Sequence, residues 1–388
     1  MIRNCGGRII AHLADDSVCK WELNGAPLSE AVPTIICDSA LIAVACRLTG
    51  VYAMLTHNGR VFVGIRSSNC LEDITDLIPL AARRELIGCD TEILLNARTR
   101  YSFCTVAIKT QTSISIVDIG FQTAGKAKRT LVKYLGTEIY PSGINMFGFD
   151  AWHAVIRTNS NSLHLINTGY EQSTSRPICR PEIESIQQIV CADSYIFILK
   201  QDRVVGERSV NGILTEQVDV FNEEPVSKIT TDGPHIFIIT VEGLCYYLNY
   251  RIHKYGHPSL IRALKGYHVE NLFVLEKLVI FQYDGGRLCF LCLSDGCGSF
   301  TKRIDLQHMV SSTPPYLLPS CENMGIIAVE SMGKYIAFIT DEGRVYSALA
   351  LNLESQPLVE IPFFTANPLM IRGRVIVIKS AGSDPRDA

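Results

Sequence analysis

Apolar positions along the chain fall into runs of five to seven residues, each broken by a short polar turn and followed by a second, alternating run. Eight segments share this form: "RIIAHLADDSVCKWEL", "VYAMLTHNGRVFVG", "FCTVAIKTQTSISIV", "WHAVIRTNSNSLHLI", "YIFILKQDRVVGE", "HIFIITVEGLCYYL", "LVIFQYDGGRLCFL" and "YIAFITDEGRVYSAL". The runs are rich in β-branched and aromatic residues and the turns in Gly, Asn, Asp or Ser, which predicts eight β-hairpins. Glycines 59, 243, 286 and 343 stand where a tight hairpin turn needs positive φ.

With Ser17, Gly59, Thr112, Asn161, Asp202, Gly243, Gly286 and Gly343 taken as equivalent, the hairpins recur at intervals of 42, 53, 49, 41, 41, 43 and 57 residues. Paired strands at such a period are the signature of propeller blades, which pack side by side and bury faces that no hairpin buries alone. Extra apolar runs precede several hairpins ("IESIQQIVCADS", "PVSKITTDG", "GIIAVESMG") and predict a further strand in each blade. The remaining segments have room for an outer fourth strand. The expectation is an all-β fold, a single closed β-propeller over residues 1–380 with a short polar tail at 381–388. "NPLMIRGRVIVIKS" near the C-terminus is expected to complete the blade begun by the N-terminal strands and so close the ring.

Composition adds limits. The 388 residues are 47% hydrophobic and 19% charged, which fits a packed core, and the net charge of -3 gives the whole molecule no attraction for phosphate backbones or anionic lipid. Fourteen cysteines are scattered through apolar runs, as expected of buried thiols in a cytoplasmic or nuclear protein. The N-terminal apolar stretch ends at Asp15 and Asp16, too short for a signal-peptide core, and Asp38 and Arg47 interrupt the most apolar region. Neither secretion nor membrane insertion is expected.

Thr340, Glu342, Gly343, Val345 and Tyr346, and more weakly Thr56, Gly59, Val61 and Phe62, resemble the repeat of the regulator-of-chromosome-condensation family. In that repeat an apolar strand leads into a Thr-x-Asp-Gly turn and a Val-Tyr strand. The resemblance implies seven blades, and seven is the expected number, with eight, the hairpin count, as the alternative. It also implies, for some members, nucleotide exchange on a Ran-type small GTPase, while other members are adaptors or parts of assemblies. The Trp-Gly and Gly-Gln-Leu-Gly continuation of the family repeat is replaced here by "SALALNLES" and "VGIRSSNCL".

Candidate chemistry is sparse. Gly120, Gly125 and Lys126 have the spacing of a phosphate-cradling loop, but Ala127 has no hydroxyl for magnesium and no strand–helix alternation surrounds it. His253 and His257 are four apart, as zinc ligands on one helix face would be, yet Gly256 and Pro258 oppose a helix. Cys289 and Cys292 form a Cys-x-x-Cys inside an apparent strand, where residues three apart point to opposite faces. No cofactor, metal or catalytic constellation is expected. "CLEDITDLIPLAARRELIGC" (70–89) is the best helical candidate, cut by Pro79 into two short pieces or a kink.

The surface that draws notice is residues 246–268. It carries Arg251, Lys254, Arg262 and Lys265 with no acidic residue, interleaved with Tyr250, Tyr255 and Tyr267. Arginine and tyrosine are the common anchors of protein interfaces, and basic residues with aromatics also serve nucleic acid. Lys126, Lys128, Arg129 and Lys133 form a second basic patch. The leading expectation is a soluble, non-enzymatic interaction scaffold, a subunit or adaptor of a larger intracellular assembly such as a cytoskeletal or axonemal one. Exchange on a small GTPase is the alternative, and chromatin or nucleic-acid association a third.

Overall fold

The computed structural model describes residues 2–4, 8–12, 18–22, 34–37, 41–46, 51–56, 58–65, 71–87, 91–97, 104–124, 127–149, 153–167, 174–178, 186–192, 195–201, 203–210, 213–232, 235–250, 257–275, 278–292, 316–318, 324–332, 335–349, 353 and 358–363. Their strands form eight four-stranded antiparallel sheets, each made of four strands consecutive in the chain: 2–37, 41–73, 92–139, 144–178, 186–221, 226–260, 269–317 and 326–360. Every one of the eight hairpin segments supplies the second and third strands of one sheet. The runs before the fifth, sixth and eighth hairpins are first strands: Ile186–Ala192, Val226–Asp232 and Ile326–Met332.

The second strands read as unbroken apolar runs because both of their faces are buried. In His235–Thr240, Ile236 and Ile238 enter a core shared with the fifth sheet, while Phe237 and Ile239 enter one shared with the seventh. Leu278–Tyr283 repeats the division, with Val279 and Phe281 on one side and Leu278 and Ile280 on the other. Tyr195–Lys200 does so too, splitting Ile196 and Ile198 from Phe197 and Leu199. The period of two along a strand deals successive side chains to opposite neighbours, so the sheets stack face to face in chain order. Each fully buried Phe or Ile contributes on the order of 2 kcal/mol relative to exposure.

The recurring turn phrase has a mechanical cause. In the second, fourth, sixth and eighth sheets the Thr that ends the second strand accepts a hydrogen bond at Oγ1 from the backbone N–H four residues on: Arg60, Ser162, Leu244 and Arg344, at 3.0–3.2 Å. The residue three after the Thr donates its N–H to the Thr carbonyl and has positive φ: Gly59 77°, Asn161 59°, Gly243 78° and Gly343 79°. This is a three-residue hairpin loop with a left-handed residue in the last place, and asparagine tolerates that conformation best after glycine. The third and fifth sheets use shorter turns, closed by Thr110 N–H to Ser113 O and Lys200 N–H to Arg203 O, both 2.8 Å, and with no positive φ at Gln111 or Thr112 the third sheet's turn requires no glycine.

Polar side chains tie neighbouring sheets together. The Gln188 amide donates to Ile229 O and accepts from Ile229 N–H, both at 2.9 Å, joining the first strands of the fifth and sixth sheets. Arg157 reaches Ile186 O at 2.8 Å and Gln282 reaches Ile326 O at 3.3 Å, each from the residue that ends the apolar part of a second strand. The first strands also carry a β-bulge at one equivalent place in six sheets, after residues 41, 144, 186, 226, 269 and 326. At the ends of the series, Ile2–Asn4 lies against both Leu41–Cys46 and Ile326–Met332.

The structure bears on three sequence readings, one of which, the rejected phosphate loop, it agrees with. Residues 71–73 of the helical candidate are the outer strand of the second sheet, and only Thr75–Leu77 (a 3-10 turn) and Leu80–Arg83 are helical, on either side of Pro79. The phosphate-loop candidate lies in a hairpin: Gly120 is within strand Ser113–Ala124 and the chain continues as strand Ala127–Ile139, with no helix to offer its N-terminus to a phosphate. All four strands of the first sheet come from residues 2–37, and the C-terminal segment 367–380 assigned to ring closure lies outside the described residues, as does the tail 381–388. No described helix is long and apolar enough to cross a membrane.

Candidate interaction surface

One end of the stack is a face of linked turns. In the fourth, sixth, eighth and seventh sheets the hairpin turn is bonded to the loop that leads into the same sheet: Asn159 N–H to Gly143 O at 3.0 Å, Val241 N–H to Pro225 O at 2.9 Å, Asp341 N–H to Gly325 O at 2.9 Å and Asp284 N–H to His268 O at 3.2 Å. In these four sheets two loops hold each other, which sets their side chains on this face upon a fixed backbone.

The loop from the sixth to the seventh sheet, residues 261–268, carries Arg262 and Lys265 of the candidate residues. Ile261 and Leu264 are buried in the core between the two sheets and anchor it from below. The backbone turns through Leu264 N–H to Ile261 O, Lys265 N–H to Arg262 O and Tyr267 N–H to Leu264 O, then joins the sixth sheet's turn by Val269 N–H to Gly243 O. Arg262, Lys265 and His268 are exposed and Tyr267 is half-buried, its ring edge-on to Tyr283 at 4.8 Å. His268 Nδ1 lies 2.9 Å from Glu242 O and, carrying the proton, donates to it, while the His268 N–H donates to Asp284 Oδ1 at 3.1 Å. Val241, 61% exposed, adds an apolar spot beside Glu242.

Tyr250 leaves this surface. It is buried in the core between the fifth and sixth sheets, with its ring 4.9 Å from Tyr195 and 5.5 Å from Phe197. An aromatic just past a strand end carries no sequence mark that separates a core plug from a surface anchor. Arg251, Lys254 and Tyr255 lie outside the described residues, as do His253 and Lys126. Lys128, Arg129 and Lys133 sit on the strand Ala127–Ile139 of the third sheet, so the structure does not gather the two basic patches into one loop.

The strongly shifted groups belong to the cores. Burial pushes the Cys289 thiol up to about 12, and burial with the neighbouring Cys289 raises Cys245 further still. Burial, then the hydrogen bond to Glu224 Oε1 at 3.1 Å, lifts the Tyr246 phenol to about 12. All three are held in the neutral form. Cys289 lies in the core between the sixth and seventh sheets.

The turn face also holds residues that sequence reasoning passed over. Glu85 accepts hydrogen bonds from the Thr110 and Thr112 hydroxyls and from Thr112 N–H, which pins the segment after the short helix to the third sheet's turn. Burial raises its carboxyl, but these donors outweigh burial and hold it below the ordinary range. Its only trace in the sequence was an acidic residue late in a supposed helix, where the helix dipole disfavours one.

No protein-family model matches the chain, and no curated protein matches it. Among solved structures, the chain is similar to the computationally designed Ika8 protein (12% identity, 81% of this chain and 85% of that one, TM-score 0.47). It is also similar to PorZ of Porphyromonas gingivalis (11%, 92% and 44%, 0.46), of which it spans less than half the length. A third likeness is to BamB from Moraxella catarrhalis (8%, 92% and 83%, 0.36). The stacked four-stranded antiparallel sheets by themselves make the architecture all-β and propeller-like.

Proposed function

We propose that the eight sheets are the blades of a closed propeller and that the chain is a non-enzymatic protein-interaction scaffold, a subunit or adaptor of a larger assembly inside the cell. The observation that carries the reading is the loop 261–268, where Arg262, Lys265, Tyr267 and His268 stand on a backbone fixed by the turns of two sheets. A surface already ordered before binding loses little conformational entropy when a partner docks, and Arg and Tyr are the side chains that most often anchor such contacts.

Exchange on a Ran-type GTPase is not advanced beside this reading. Its support is the repeated Thr-x-x-Gly phrase, and hairpin geometry accounts for that phrase by itself. The test is affinity purification of the tagged full chain from its own cells, quantified by mass spectrometry against the variant Arg262→Glu/Lys265→Glu. The expected result is a set of co-purifying proteins that falls at least fivefold in the variant while its melting temperature is unchanged. Recovery no greater than from untagged cells would overturn the scaffold reading; recovery of a small GTPase would replace it with the exchange reading.

A further inference from the structure

The third sheet is built unlike the others at its outer edge. Its third and fourth strands, Ser113–Ala124 and Ala127–Ile139, have 12 and 13 residues, whereas the outer strands of the sixth, seventh and eighth sheets have 2 each. The second strand, Cys104–Lys109, pairs only as far as Ile119. From Gly120 to Leu131 the long strands pair with each other alone among the described residues, as a two-stranded ribbon that runs past the sheet. Among the described residues Ala127–Ile139 is the outermost strand, and its register against Ser113–Ala124 is unbroken from Ala127 to Tyr134, where a bulge interrupts it. That leaves an edge of about eight residues, roughly 26 Å of extended backbone.

Lys128, Arg129 and Lys133 all lie on this edge, and no acidic residue occurs between Asp118 and Glu138. An unpaired edge is a template for another strand, and the charge on it decides which. A second copy of the same edge would set lysine and arginine against their own kind, which disfavours self-pairing. A strand with a carboxylate at alternate positions would meet Arg129 and Lys133, which share one parity along the strand, while Lys128 has the other and Lys133 also stands across from Asp118 of the neighbouring strand. We propose that the outer edge of residues 127–134 docks an extended acidic peptide segment of a protein partner, which joins the third sheet as a fifth strand. This deepens the scaffold reading and rests on it. Main-chain hydrogen bonds supply affinity without regard to sequence, and the cations select carboxylate-bearing segments.

The probe is a fluorescein-labelled 12-residue peptide of alternating Glu and Val, measured by anisotropy against the full chain. Two comparison probes are the same peptide N-methylated at alternate amides and a labelled 12-nucleotide single-stranded DNA. N-methylation removes strand pairing and leaves the charge. Saturable binding is expected, weakened at least tenfold by N-methylation and at least tenfold by Lys128→Glu/Arg129→Glu/Lys133→Glu. If that triple variant loses its fold by circular dichroism, the N-methylated probe decides the matter on the unchanged protein. Equal binding of the two peptides, no binding of the first, or tighter binding of the DNA overturns the proposal. Cellular partners captured equally by the triple variant overturn this edge while leaving the scaffold reading intact.

Discussion

Gly243 is held by two constraints that can be separated. Its φ of 78° disfavours any L side chain, and a Cβ there would come within 2.4 Å of His268 Nδ1 and 2.9 Å of His268 Cα. Gly266 shares only the first constraint: φ is 94° and a Cβ would meet nothing within 4 Å. Gly266→Ala is therefore expected to cost about 1–2 kcal/mol from backbone strain, and Gly243→Ala more, because the candidate loop must move as well. Thermal melts of the two variants check this, and equal losses would remove the close approach from the account. At this scale the sequence was legible where glycine marked the left-handed position, as at residues 59, 243 and 343. Asn161 was placed by spacing alone. Tyr250 was misplaced because ring packing leaves no trace in local sequence.

Among elements, the cross-sheet amide of Gln188 makes a separable prediction. Gln188→Ala would leave the buried N–H and C=O of Ile229 without their partners, at a cost of about 2–4 kcal/mol, read by chemical denaturation and by faster amide exchange at Ile229 itself. The Glu85 carboxylate makes another. Its folded-state pKa lies below the ordinary value of 4.5, so the stability it contributes is fully present above that value and is lost as pH falls through the lower, folded one. Wild type is expected to lose stability relative to Glu85→Gln over that acid window, and parallel melting curves from neutral to acid pH would contradict the linkage. Second and third strands were legible because double-sided burial and turn chemistry stamp the sequence strongly. Outer strands such as Ser259–Leu260, Tyr316–Leu317 and Val359–Glu360 were not, since two residues carry no period. Residues 71–73 were drawn into a helix because Leu-Glu-Asp suits a helix start as well as a strand.

At the scale of the whole molecule, the hairpin spacing held eight units, while seven came from family resemblance. The eight sheets among the described residues follow the spacing. The candidate surface was half legible: charge and tyrosine content pointed to residues 246–268, but which side chains face outward depends on Ile261 and Leu264 turning inward, a tertiary fact. Closure of the ring underlies the placement of every loop on one end face. Two observations support it. Ile2–Asn4 lies against Ile326–Met332, and Ala337 and Ile339 are buried although they fall on the face of the eighth sheet opposite Ile336 and Phe338, which pack toward the seventh. The direct measurement is a spin–spin distance between labels attached through genetically encoded ketone residues at Lys20 in the first sheet and Ser347 in the eighth. A closed ring of eight makes these sheets neighbours and predicts one narrow distribution at about 10–25 Å, from a spacing of about 10 Å between stacked sheets plus the label tethers. A distribution centred on the order of 40 Å or more, several sheet spacings, would mean an open stack and would contradict the account.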